Sequence, residues 1–245
     1  MARIRVAAHV HSEWSYDGRF SLADLARAFR RRRYDAVLMA EHDRGFDADR
    51  WADYRAACAA ASGDGIVLVP GIEYSDDANA VHVPVWGDVP FLGEGLQTGA
   101  LLHAVQEAGA LAILAHPGRR DVWRRFDPQW AHGLLGIEVW NRKYDGYAPS
   151  RAASELLCAT PDLLPFFGLD LHTARQFHPL AMLTDVDGPV SEAAICDAMR
   201  ARRCRPTAYR LPAPVLSRGA AVQTMRGAER ARRSVARRIR ARSGS

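Results

Sequence analysis

Short apolar runs alternate along the chain with stretches of helical periodicity. Ile4–Ala8, Ala36–Ala40, Ile66–Ile72, Val81–Trp86, Leu111–Ala115, Gly136–Trp140 and Leu164–Leu169 read as strands buried on both faces, and Ala181–Leu183 and Pro206–Tyr209 are weaker candidates. Between them, Ser21 caps a helix reaching about Arg32, and Asp47 caps another through Ala61. A third helix runs from about Gly99 to Ala108 and stops at Gly109. Two more are predicted near Ala148–Cys158 and Ser191–Ala201. Strand followed by helix, repeated seven or eight times over about 210 residues, predicts parallel βαβ units in an α/β barrel rather than an open sheet.

Composition adds exclusions. At 245 residues, with 48% hydrophobic and 25% charged positions, the chain suits one large globular domain. No apolar run reaches the roughly 18 residues of a membrane span. The first residues, Met-Ala-Arg-Ile-Arg-Val, carry no apolar signal segment, so the expected location is cytoplasmic. Cys58, Cys158, Cys196 and Cys204 form no C-x-x-C pair, and neither disulfides nor a thiolate zinc site are expected.

The net charge of +5 is unevenly spread. Residues 218–245 hold nine arginines and one glutamate, whereas the remaining residues carry a small acidic excess. The body, residues 1–210, is therefore no general polyanion binder. Residues 211–245 read as a linker, Leu211-Pro-Ala-Pro-Val-Leu216, and an Arg-rich tail. That tail is expected to be a solvated extension, with contact to an anionic partner such as nucleic acid or lipid as its other use.

The chemistry gathers where the strands end. The first run ends in His9-Val-His11, the second in Glu41-His42-Asp43 and the third in Glu73. The fourth contains His82, the fifth ends in His116-Pro117, and the seventh ends in Asp170-Leu-His172. Strand C-termini of a parallel barrel form one mouth. Residues i and i+2 share one face of a strand, so both His-x-His and Asp-x-His can present two ligands together. So many imidazoles and carboxylates exceed the needs of one ion and suit two or three divalent metals, Zn, Mn or Fe. His103 and His132 fall outside this pattern, and His178 lies just beyond it, where a place at the pocket rim is expected.

These residues, in this order, resemble the PHP (polymerase and histidinol phosphatase) family. The likeness spans roughly residues 3–210 and rests on His9-x-His11, Asp17, His42-Asp43, Glu73, His82, Ala115-His116-Pro117 and Gly168-x-Asp170-x-His172. It implies a distorted (β/α)7 barrel and a trinuclear centre that hydrolyses phosphoesters. By that resemblance His9, His11, Glu73 and Asp170 hold one metal, Glu73 bridges to a second held by His82 and His116, and Asp17, His42 and His172 hold the third. The chain departs from the family where Ser15-Tyr16-Asp17-Gly18 places the acid one residue later, and where Ala40-Glu41-His42-Asp43 replaces Thr-Asp-His-Asp. Only 33 residues separate His82 from His116, which leaves no room for the long helical insertion of some members and implies a compact, open pocket.

The implied nucleophile is a hydroxide held between metals rather than a side chain. Neither a G-x-S-x-G elbow nor a P-loop occurs. Arg119, Arg120, Arg142, Lys143 and Arg175 follow strand ends and are candidates for the phosphate of a small phosphorylated substrate: a nucleotide, histidinol phosphate or a sugar phosphate. Two alternatives remain at this level. An amidohydrolase-type C–N hydrolase shares the opening H-x-H but often bridges its metals through a lysine, and the sole lysine here, Lys143, lies past its strand. A non-catalytic binding module would need a degraded ligand set.

Overall fold

A computed structural model describes residues 1–212 and 219–243, with side chains for 1–211 and 219–239. Residues 213–216 of the expected linker lie outside the described residues.

Among the described residues, twelve strands form two six-stranded sheets. The first contains β1 (Ala2–Val10), β2 (Ala36–Met39), β4 (Val67–Val69), β10 (Leu180–Val186), β11 (Cys204–Ala208) and β12 (Leu211–Pro212), in the order β12-β11-β10-β1-β2-β4. The second contains β3 (Glu41–His42), β5 (Gly71–Ser75), β6 (His82–Trp86), β7 (Leu111–Leu114), β8 (Gly136–Asn141) and β9 (Leu164–Gly168), in the order β3-β5-β6-β7-β8-β9. The helices are α1 (Leu22–Arg31), α2 (Ala48–Ala61), α3 (Thr98–Glu107), α4 (Arg142–Asp145), α5 (Arg151–Ala159), α6 (Glu192–Arg200) and α7 (Gly219–Ser243).

The Ile66–Ile72 run is expected to be one strand but divides at Pro70 between the two sheets, as β4 and β5. Proline offers no N–H to the ladder, so pairing breaks there. The second run divides likewise at Ala40, between β2 and β3. Trp86 fills this seam and donates its indole N–H to Met39 O at 2.6 Å. Pairing also departs from uniformly parallel βαβ units. The β1–β10, β10–β11, β5–β6 and β6–β7 pairs are antiparallel. No helix intervenes between β5 and β6, and a short loop forces antiparallel pairing. At the far edge β9 runs on beside β1: Leu169 N donates to Ala8 O at 2.9 Å and Leu171 N to His9 O at 3.2 Å.

The predicted caps Ser21 and Asp47 form, and Ser150 and Ser191 cap two further helices; each accepts from a backbone N–H three residues on. Strand β1 is buried on both faces, with Ala7 and Val10 in one apolar cluster and Val6 and Ala8 in another. Phe29 of α1 is fully buried in the first of these clusters.

The Arg-rich segment differs from the solvated extension expected of it. It forms α7, and its inner face lies on the body: Val222 is buried and Met225 packs on the main cluster. The apolar spacing Val222–Met225 supplies that face, and an arginine guanidinium can leave solvent when backbone carbonyls accept its protons.

Candidate metal centre

Strand ends bring all nine expected ligand residues to one place. Glu73, on β5, lies at the centre and its two oxygens face different imidazoles. Oε1 lies 3.1 Å from His9 Nε2, His82 Nδ1 and His116 Nε2. Oε2 lies 3.1 Å from His42 Nδ1 and 3.7 Å from His11 Nε2. Asp170 Oδ1 is 3.6 Å from His11 Nε2 and 3.2 Å from His172 Nδ1. Asp17 spans His42 and His172, at 3.3 and 3.2 Å. Three subsets have ligand atoms close enough for one ion: His11, His42 and His172; His9, His11 and Asp170; and His9, Glu73 and His116. The one-residue displacement of Asp17 is absorbed by the 12–18 loop, where Gly18 sits so close to Ser12 O that any side chain would collide.

The backbone is bent to aim these groups. His9 has φ 62°, His116 φ 27° and Asp170 φ 48°. The β1–β2 register shifts between Ala8 and Val10, so His9 sits at a bulge. Left-handed non-glycine residues cost about 1–3 kcal/mol each and collect at functional sites, where surrounding packing holds them.

Burial without enough hydrogen bonds marks the site as a place for cations. His9 Nε2, His11 Nε2 and His82 Nδ1 are sealed from solvent and make no hydrogen bond. Such nitrogens are costly unless something accepts their lone pairs, and a divalent metal does. The donor set of imidazoles and carboxylates fits Zn, Mn or Fe.

Without metal, the cluster titrates as an ion-pair network. Burial opposes charge on His42, but hydrogen bonds to Asp17 and Glu73 prevail and raise it to about 10. Burial likewise opposes charge on His9, and Glu73, Glu138 and Asp170 prevail to raise it. His11 goes the other way, lowered by burial and by His42 and His172. Burial resists ionisation of Asp170, yet His9, Lys143 and His116 hold it down at about 2. Metal entry displaces the protons on such ligands.

A set of residues behind the ligands escapes sequence reasoning. Buried Glu138 accepts from His116 N at 2.9 Å and Asn141 Nδ2 at 2.8 Å, and its Oε1 lies 3.1 Å from His9 Nδ1. Gly168 makes room for it: a Cβ there would overlap Glu138 Oε1. Buried Glu41, at the position where the chain departs from the family pattern, accepts from Ser12 N and Oγ and from Ser15 Oγ. Ser15 Oγ in turn lies 3.3 Å from His11 Nδ1. Asn79 Oδ1 lies 2.6 Å from His82 Nε2. Imidazoles held at one nitrogen present the other to a metal.

The candidate phosphate contacts distribute unevenly. Lys143 Nζ stands at the centre itself, 3.2 Å from Asp170 Oδ1 and 3.3 Å from His172 Nε2. Arg119 and Arg120 donate to the 78–80 turn, to Asn79 O at 2.7 Å and Ala78 O at 2.8 Å. Arg142 stacks on Tyr147 at 4.0 Å and donates to Arg175 O, and the Arg175 side chain is exposed. His178 stands apart from the ligands. Its Nε2 is 2.8 Å from the Tyr209 hydroxyl, and it lines a separate cavity of about 390 Å³ with Arg5, Arg32 and Arg210. A cavity of about 360 Å³ opens on the centre between Tyr16, His42, Ser75, Asn79 and His82.

No family model and no curated protein matches the chain. Solved structures do. PsfC from Pseudomonas syringae PB-5123 is 19% identical, with a TM-score of 0.61 over 84% of this chain and 92% of its own. A candidate metal-dependent phosphoesterase from Bifidobacterium adolescentis is 19% identical, with a TM-score of 0.50 over 69% of this chain and 87% of its own. The lesion-specific endonuclease PfuEndoQ from Pyrococcus furiosus is 13% identical, with a TM-score of 0.56 over 82% of this chain and 56% of its own. The chain shares their fold. That likeness agrees with the PHP resemblance of its ligand motifs. Among the described residues, no helix is long and apolar enough to cross a membrane.

Proposed function

We propose that the protein hydrolyses a phosphoester of a small metabolite (a nucleotide, histidinol phosphate or a sugar phosphate) with two or three divalent metals held by His9, His11, Asp17, His42, Glu73, His82, His116, Asp170 and His172. The observation that carries this reading is the convergence of these side chains around Glu73, with three buried imidazole nitrogens left without hydrogen bonds. Bound metals supply Lewis-acid activation of water and of the phosphoryl oxygens. The chain supplies the rest. Glu73 offers one oxygen to each side of the cluster, the geometry of a bridging carboxylate. Lys143 brings a cation to the rim beside Asp170 and His172, where a phosphate would need one. Leu169 and Leu171, bonded to β1, support reading the two sheets as one distorted barrel with this centre at its mouth.

The amidohydrolase reading is less well supported. Lys143, the only lysine, pairs with Asp170 and His172, while the Glu73 carboxylate already offers an oxygen to each side of the cluster, where those enzymes use a lysine.

Purified protein loaded with Mn²⁺ or Zn²⁺ is assayed for phosphate release from p-nitrophenyl phosphate and a panel of nucleotides and sugar phosphates. Metal-dependent release is expected. No release from any member, with bound metal verified by elemental analysis, overturns the proposal.

A further inference from the structure

One turn of helix delivers two residues to the metal centre. In α4, Lys143 Nζ meets Asp170 and His172, and the Tyr144 ring lies 4.7 Å from the His116 ring. A four-residue helix cannot sustain itself, since nucleation costs more than one turn repays. Asn141 caps it from within by accepting from Tyr144 N at 3.0 Å. Its carbonyl end is held from outside, by α7.

Three residues of α7 make that hold. Arg233 donates from Nη2 to Tyr144 O at 2.7 Å and from Nε to Glu229 Oε1 at 2.6 Å. Glu229 is buried against Gly146, whose φ of 76° turns the chain out of α4, and a Cβ at Gly146 would overlap the Glu229 carboxylate. Arg226 donates to Pro149 O at 2.9 Å and Ser150 O at 3.1 Å, at the start of α5. Charge-assisted donors to backbone carbonyls are strong contacts, and Tyr144 O, at the end of α4, is of the kind that a helix leaves unpaired.

We propose that α7 is a clasp that positions Lys143 and Tyr144 at the metal centre, with Arg233 and Glu229 as positioning residues. The helix is then part of the active-site architecture rather than a separable basic arm. Other arginines of the same helix supply the control. Arg237 and Arg238 are exposed and have no hydrogen bond or ion pair among the described residues.

The full-length chain is compared as wild type, Arg233→Ala/Glu229→Ala, Arg233→Lys, and Arg237→Ala/Arg238→Ala. The first readout is amide hydrogen exchange over residues 142–150, which requires no turnover. The second is the split between KM and kcat for p-nitrophenyl phosphate with metal bound, and this arm alone rests on the phosphoesterase reading. The clasp predicts faster exchange at 142–150 in the Arg233/Glu229 variant. It also predicts a rise of about tenfold in KM, with kcat within about twofold, as expected when a substrate-holding cation is misplaced and the metal ligands are not. Arg233→Lys keeps a donor for Tyr144 O and recovers part of the loss. The Arg237/Arg238 variant, which takes two positive charges from the same helix without touching the α4 end, behaves as wild type. Melting temperatures and metal content identify global unfolding. If that occurs in the double variant, Arg233→Lys and the single Arg233→Gln decide the matter. Unchanged exchange at 142–150, faster exchange with unchanged KM, or an equal KM rise in the Arg237/Arg238 variant overturns the clasp. If no phosphoester is turned over by any variant, the phosphoesterase reading fails and the exchange difference alone decides.

Discussion

Glu138 Oε1 lies 3.1 Å from His9 Nδ1, and both side chains are sealed from solvent. A carboxylate there holds a proton on Nδ1 and leaves Nε2, on the Glu73 side, as the nitrogen that a metal would take. The same carboxylate accepts from the backbone of His116 and the side chain of Asn141, so it ties ligands from two strands to a third.

Glu138→Gln tests that role. The amide retains one acceptor but loses the charge, and one arm becomes a donor facing donors. Partners of this kind are worth about 10–100-fold in metal affinity. Competition against a chromophoric chelator should show a loss in that range, with the fold intact by circular dichroism. Unaltered affinity would show that Glu138 does not support the metal centre.

Gly168 exists to let Glu138 approach. Gly168→Ala drives a methyl group into Glu138 Oε1 and against His9, so the variant should lose about 1–3 kcal/mol of stability, as overpacked sites do, and bind metal less tightly. Gly99→Ala is the companion, because a Cβ there meets nothing within 4 Å and α3 gains from the lower backbone entropy of alanine. Urea titrations should move the two midpoints in opposite directions.

Burial pushes the Asp145 carboxyl up to about 7, with the N–H of Asn141 opposing, Glu138 reinforcing, and Arg233 and Arg226 opposing more weakly. The folded chain thus keeps a proton that the unfolded chain releases near pH 4. That contribution to stability is complete at acid pH and is lost as pH rises through about 7. Asp145→Asn removes the dependence and can still accept from Asn141 N. Its unfolding free energy should match wild type near pH 4 and exceed it at pH 8, by up to about 4 kcal/mol. A variant less stable at pH 8 would show that the ionised form is what the α4 end requires.

Much of this was written locally. Buried strands appear as continuous apolar runs because both of their faces are covered, and the Ser21 and Asp47 caps are visible three residues ahead of the bonds they make. Eight of the nine candidate ligands were legible because they stand in or beside the ends of apolar runs, where position and residue type coincide; Asp17, in the loop after β1, came only from the family resemblance. Strand direction was not legible. An apolar run reads the same either way, so the antiparallel β5–β6 and β1–β10 pairs had no signature beyond the missing helix between Ser75 and His82. Glu138 lay within a strand, two residues past Gly136, and only its contacts distinguish it from an edge carboxylate. The docked face of α7 showed only as the weak apolar spacing of Val222 and Met225, and the residues that hold it, Arg226 and Arg233, look like the arginines that do not.

A multinuclear centre bridged by Glu73 stands or falls on the metal content of Glu73→Gln measured beside wild type. Replacing one oxygen with an NH₂ takes a ligand from one side of the cluster and leaves the volume unchanged. Elemental analysis of protein purified and dialysed in parallel should find two or three divalent ions per wild-type chain and at least one fewer in the variant, with metal-dependent phosphate release lost. Full metal content in Glu73→Gln would contradict the bridge and, with it, the assignment of the two sides of the centre.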